Sequence, residues 1–168
     1  MNRLSVRVWA VSTVVLLLAG VLQLGPAARE VPKPGQRDTC PVCGMFVALY
    51  PEWVATVVYR DGQAQHFDGA KDLFKYLLEL AKYAPGHQVA EIDAIVVTDY
   101  YSVAPIDAHT ACYVIGSDVL GPMGHELIPL ATREDADEFI GDHGGRRVLS
   151  FDEVGLPLLL NLDRGRFD

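Results

Sequence analysis

From Val8 to Ala28 the chain carries no charge, with Arg3 and Arg7 ahead of the run and Arg29 closing it. This layout, with Val14-Val15-Leu16-Leu17-Leu18 at its centre, is that of a secretory signal peptide or a signal anchor. Any folded domain is confined to the residues beyond Ala28. The run is just long enough to cross a bilayer, which takes roughly 20 apolar residues, and Gly25-Pro26-Ala27-Ala28 supplies small residues for cleavage. The positive-inside rule puts the chain beyond Arg29 on the extracytoplasmic side, held at the membrane by residues 1–28 or released there. Leu18-Ala19-Gly20 begins like a bacterial lipobox, but Val21 stands where the lipid-accepting cysteine belongs, so a lipoprotein is not expected.

Residues 29–39 contain Val31-Pro32-Lys33-Pro34-Gly35-Gln36, without apolar periodicity, and read as an extended Pro-rich tether. The remainder reads as a domain over 40–160 and a polar tail over 161–168. Half of the 168 residues are hydrophobic, enough for a sizeable core. Lys plus Arg number 14 against 22 Asp plus Glu, a net charge of −8, so the cationic surface of a nucleic-acid binder is missing.

The period of the pattern changes along the domain. Trp53 to Tyr59 predicts a strand, Asp61-Gly62 a hairpin turn, and Gln63 to Phe67 the returning strand. A helix capped by Asp68 follows, with Leu73, Phe74, Leu77, Leu78 and Ala81 as its apolar stripe, and Pro85-Gly86 stops it. Ile92 to Thr98 is a β-branched strand. The order recurs as strand Ala111–Ile115, strand Glu126–Ala131, a helix opening at Thr132 and ending at Gly144-Gly145, and a strand from Arg147 to Phe151. An apolar segment from Val154 to Leu160 can cap the core. The expected fold is α+β: two small ββαβ units, about 40–100 and 101–155, with short antiparallel sheets covered by helices.

Three cysteines, Cys40, Cys43 and Cys112, leave an odd thiol in an oxidising compartment. Cys40-Pro41-Val42-Cys43-Gly44-Met45 gathers two thiols and a thioether where tether meets domain. Soft sulfur donors select Cu(I), whereas zinc wants a fuller Cys/His set. A local Cys40–Cys43 disulfide is the alternative, making the protein a stapled binding module without metal. A thioredoxin-like redox motif fits less well, because Pro51 breaks any helix after the pair.

A second cluster, Gly121-Pro122-Met123-Gly124-His125-Glu126, is rich in turn formers and sets Met123 in a loop with few neighbours to bury it. Met45 and Met123 are the only methionines after Met1, and both stand beside glycines. The expected metal ligands are therefore Cys43, Met45 and Met123, with His125 and Cys40 as further donors. His66 reads as a structural histidine, His87, His109 and His143 as surface residues, and Cys112 as a thiol within a strand. No nucleophile elbow, phosphate loop or paired catalytic carboxylates are evident, so an enzyme is not expected.

The combination of Cys40-x-x-Cys43-Gly44-Met45, Phe67-Asp68 opening a helix, Gly121 to Glu126, and Gly144-Gly145 followed by Leu149-Ser150-Phe151-Asp152-Glu153-Val154 resembles the NosL family over about 38–155. The resemblance implies a periplasmic copper chaperone that helps assemble the copper-sulfide centre of nitrous oxide reductase, with that enzyme or its copper-assembly and transport machinery as partner. It also implies two ββαβ units distantly similar to part of organomercurial lyase. Carbon–mercury cleavage needs thiols that converge with an acid, and the sequence offers Cys40 and Cys43 without an evident third partner. Members of the family are typically lipoproteins, from which Val21 is a departure.

Overall fold

The structure is a computed structural model that describes residues 31–167; the N-terminal segment 1–28 and the first residues of the tether lie outside the described residues. Among the described residues, no helix is long and apolar enough to cross a membrane.

The first unit is built on β1 (Ala55–Tyr59), which pairs antiparallel with β2 (Ala64–Phe67) on one side and β3 (Ile92–Thr98) on the other. Every residue of β1 is buried. That suits Ala-Thr-Val-Val-Tyr as a central strand covered on both faces. β3 alternates instead and carries a short edge strand, β4 (Pro105–Asp107). Residues 61–62 turn the hairpin with Gly62 at φ +87°.

Helix α1 (Ala70–Leu78) and a further turn, α2 (Leu80–Tyr83), cover the sheet, with a break at Glu79. Leu73, Phe74 and Tyr76 are fully buried, and Tyr76 shares a 2.6 Å hydrogen bond with Tyr59 across the helix–sheet contact. Asp68 does not cap α1. The N-cap is Gly69, which has no side chain to offer the helix, and the Asp68 carboxylate turns to a thiol.

The second unit has β5 (Cys112–Ile115) at its centre, between β8 (Ile128–Leu130) and β9 (Arg147–Leu149). A two-stranded ribbon of β6 (Leu120–Gly121) and β7 (Gly124–His125) projects from the β5–β8 connection. Helix α3 (Arg133–His143) lies on this sheet. It is capped by Thr132, whose hydroxyl accepts from Asp135 N at 3.1 Å, and is closed by Gly144.

The observed class is the expected one: helices on short antiparallel sheets. The two units share one core, because Tyr113, Ile115, Leu127 and Leu149 of the second pack in the same buried cluster as Val57, Phe67 and Phe74 of the first. A smaller cluster around Val114, Ile128 and Phe139 lies under α3. Asp99 joins the units by accepting from Ala131 N at 2.8 Å while its other oxygen takes Ser102.

The apolar segment after Val154 becomes α4 (Leu156–Leu162), with Leu159 and Leu162 buried in the shared core. Beyond it, Asp163 pairs with Lys71 and Lys75, and Phe167 meets the His125 ring at 4.9 Å. Residues 31–34 and Gln36 line a cleft of about 450 Å³ together with β1, β3 and Val103.

Candidate metal centre

Residues 39–46 close a tight loop around the two thiols. Thr39 bridges Phe46, Cys40 N donates to Met45 O at 2.8 Å, and Gly44 N donates back to Cys40 O at 2.9 Å. Gly44 sits at φ +82°, a conformation that costs a glycine nothing and lets the chain reverse within four residues. Buried Val47 anchors the far end of the loop. Cys40 is thereby buried and Cys43 half-buried, and both are free thiols.

The loop faces the start of α1. Cys43 Sγ donates to Asp68 Oδ1 at 3.2 Å, and Cys40 Sγ donates to Asp72 Oδ2 at 3.4 Å. Asp68 lies just ahead of the Gly69 N-cap and Asp72 in the first turn of α1, so the start of the helix brings both carboxylates to the thiols. One donor atom from each of Cys40, Cys43, Asp68 and Asp72 lies within 4.8 Å of every other. The carboxylates are almost wholly buried, at 1% and 3% exposure.

Electrostatics set the protonation. Burial pushes the Cys40 thiol up to about 12, against the backbone N–H groups of Cys43 and Val42, which favour the thiolate; the Asp72 and Asp68 carboxylates add to the rise. Burial also raises Cys43, countered by the Met45 N–H and reinforced by Asp68, Asp72 and Cys40. Without a cation the thiols hold their protons. With one beside them, the same burial removes competing water and strengthens the bond.

Lys71 sits between the two aspartates on α1 and is 1% exposed. Its Nζ donates to Met123 O at 3.0 Å and His125 O at 2.7 Å and pairs with Asp163 at 3.2 Å. Its backbone N–H donates to Glu126 Oε1 at 2.6 Å. A single residue of the first unit thus grips residues 123–126 of the second. Glu126, which burial raises to about 7 against the pull of Lys71, closes the joint by accepting from Leu127 N as well.

The expected site residues fall into two groups. Cys40 and Cys43 converge with the aspartates. Met45 follows them on the same loop, half-buried. Met123 stands on the β6–β7 ribbon at 46% exposure, as its glycine neighbours suggested. His125, on the same ribbon, stacks edge-on against Phe167 and lies outside the four-donor group. Cys112 is elsewhere, against the second cluster. His66 is buried and shares a 3.0 Å hydrogen bond with Thr56 through Nδ1.

Sequence reasoning missed Asp68, Asp72 and Lys71. Asp68 read as a helix cap, and Asp72 and Lys71 were not singled out. The signal that was present is the pairing of an i,i+3 thiol pair with an i,i+4 carboxylate pair.

A NosL family model matches residues 31–158. The chain is 31% identical over 129 residues to the copper-binding lipoprotein NosL of Stutzerimonas stutzeri, covering 73% of this chain and 64% of that relative. It therefore spans a little less than two thirds of that relative's length. The fold matches the crystal structure of the copper chaperone NosL from Shewanella denitrificans with a TM-score of 0.64 at 23% identity, over 76% of this chain and 97% of that one. The apo-NosL solution structure from Achromobacter cycloclastes aligns with a TM-score of 0.42 at 24% identity, over 62% of this chain and 87% of that one. The chain belongs to the NosL family.

Proposed function

We propose that this protein is a copper(I) metallochaperone at the extracytoplasmic face of the cytoplasmic membrane, and that it helps deliver copper to nitrous oxide reductase for assembly of its copper-sulfide centre. The observation that carries the reading is the Lys71 grip, which ties the Met123–His125 ribbon to α1, at whose start Asp68 holds the Cys43 thiol. Copper(I) is the cargo. Cys43 supplies a thiolate and Met45 and Met123 supply thioethers, a set matched to a soft monovalent ion. His125, on the same ribbon as Met123, and Cys40, on the same loop as Cys43, are the further donors of this reading.

Exposure of Met123 suits a transfer role, because a partner's ligand can replace an exposed thioether before the buried thiolate lets go. The expected partners are the reductase or the machinery that carries copper to it. Residues 1–28 hold the chain at the membrane or are removed on export, without lipid at Val21. The protein carries metal and performs no turnover.

Titration with copper(I) against a competing chelator tests the metal set. One ion per chain is expected, with affinity lowered by about a hundredfold or more in the Met45→Leu/Met123→Leu double variant. Tight binding that survives both changes overturns the assignment. Deletion of the gene in a nitrous-oxide-reducing host tests the client: its reductase should emerge short of copper.

One contact favours a second activity. Asp68 is an acid in contact with a thiol pair, which is the third partner that carbon–mercury cleavage requires. Release of inorganic mercury from an organomercurial by the purified protein would replace the carrier reading with an enzymatic one.

A further inference from the structure

The Pro-rich tether lies on the domain. Val31 to Pro34 and Gln36 line a cleft of about 450 Å³ together with Thr56 of β1 and Val96 and Thr98 of β3. Alternate residues of a strand point to opposite faces, and Val57, Ile95 and Val97 of the same two strands belong to the core under α1. The tether therefore runs over the face of the sheet opposite α1, with Val31 and Pro34 half-buried on it.

Three apolar side chains stand out beside this cleft. Phe46, Leu49 and Val103 are 50%, 67% and 51% exposed. Phe46 caps and Leu49 ends the short helical turn Val47–Leu49. Residues three apart on such a tight turn eclipse, so these two stand together while Val47 points into the core. Val103 lines the tether's cleft along with Ala48 and Pro51. It holds φ +54°, a left-handed conformation rare for a β-branched residue. Strain kept at a half-exposed valine has no return in packing and points to a use outside the fold. Single exposed apolar residues need no explanation, but three around one cleft form a patch.

Charge selects the occupant. The chain carries −8, yet residues 29–38 hold Arg29, Lys33 and Arg37 against Glu30 and Asp38. Lys33 and Arg37 are exposed, and Asp38 is engaged by Gly35 N at 2.8 Å. An anionic bilayer attracts this end and repels the acidic remainder, which orients the domain. Reach agrees, because Val31 lies three residues beyond the apolar run that ends at Ala28, at most about 10 Å of extended chain.

We propose that this face is a lipid-binding surface, on which Phe46, Leu49 and Val103 enter the interfacial zone of an anionic bilayer while Lys33 and Arg37 meet its headgroups. The inference rests on the reading that the chain works at the membrane, and adds the orientation. The thiol loop, whose Met45 directly precedes Phe46, is thereby presented at headgroup level, where a partner in the same membrane meets it.

The test uses the full chain in vesicles of phosphatidylethanolamine and phosphatidylglycerol, with a photoreactive benzoylphenylalanine at position 49. The control is position 160 on α4, where Leu160 is 44% exposed and the helix packs into the core on the α1 side of the sheet. Illumination is expected to give a lipid adduct at position 49 at least about fivefold above that at 160. Lys33→Glu/Arg37→Glu should lower the adduct at 49 by about threefold or more, and that loss should vanish in neutral phosphatidylcholine vesicles.

Equal adducts at the two positions overturn the proposal, as do cross-links from position 49 to a second copy of the chain in place of lipid. The anchor is judged separately by the mass of the adduct-bearing chain. Full-length chain held by the vesicles without a lipid adduct at 49 refutes this face and leaves the anchor standing. A lipid adduct on chain that starts near Ala28 supports this face and removes the anchor.

Discussion

Glu126 Oε1 accepts the backbone N–H of Lys71 at 2.6 Å, so a carboxylate from the second unit satisfies the first turn of α1 across a gap of 55 residues. The local N-cap, Gly69, cannot do this. It is placed there for room: a Cβ at position 69 would come within 2.5 Å of Glu126 Oε2. The helix that carries Asp72 and follows directly on Asp68 is therefore started by the segment that follows Met123 and His125.

Glu126 makes stability fall with rising pH. Burial holds its carboxyl at about 7, above its ordinary 4.5. The folded state then binds a proton that the unfolded state has lost, so this contribution is complete below about 4.5 and disappears as pH rises through about 7. Denaturant midpoints from pH 4.5 to 8 should show a decline worth up to about 3 kcal/mol. Glu126→Gln keeps the acceptor and should flatten the curve; a wild-type slope retained in that variant would assign it elsewhere.

Lys71 should matter to copper through Met123 specifically. Lys71→Met removes the donors for two carbonyls and one ion pair and is expected to destabilise the fold by about 2–4 kcal/mol. Copper(I) affinity should drop by about tenfold in the wild type and by much less in a Met123→Leu background, because the grip has then nothing left to position. Equal losses in the two backgrounds would reduce Lys71 to a structural residue.

Cys40 should be a slow thiol. With its proton held to about 12 against an ordinary 9.0, its thiolate fraction at pH 8 is lower by roughly a thousandfold. Alkylation followed by mass mapping is expected to label Cys40 far more slowly than an unstructured cysteine, and at a rate that climbs steadily up to pH 10. Finding Cys40 joined to Cys43 in protein from its native compartment would contradict the free-thiol arrangement.

Two glycine-to-alanine changes should act in opposite directions. Gly69→Ala drives a methyl group into the Glu126 carboxylate and should cost about 1–3 kcal/mol. Gly141→Ala, inside α3 with open space around it, should add about 0.5–1 kcal/mol by restricting the unfolded chain. Thermal melts of the two variants check both signs.

Much of the fold is legible in the sequence because its signals are local. Ile92 to Thr98 forms the strand its β-branched run predicts, and Thr132 caps α3 with its own hydroxyl. The helix expected to run from Asp68 is instead broken at Glu79, where tertiary packing of Tyr76 and Leu80 in the shared core takes precedence over the apolar stripe. Asp68 fails as the cap for the same reason: capping propensity is a statement about a chain end, and here a distant thiol takes the carboxylate instead.

The sequence alone determined which atoms the protein can offer a metal, because thiols and thioethers are rare and stand in loops whose glycines and prolines mark them out. It also determined the order of strands and helices, since hydrophobic period is written residue by residue. The tertiary structure decided which charges are buried. Asp68 read as a helix cap and Glu126 as the start of a strand, while nothing local singled out Asp72 or Lys71; only the packing of the 39–46 loop and the β6–β7 ribbon onto the start of α1 withdraws them from water. Desolvation depends on every neighbour at once, so it has no local signature, and it is desolvation that sets those four charges apart as a candidate metal site and its support.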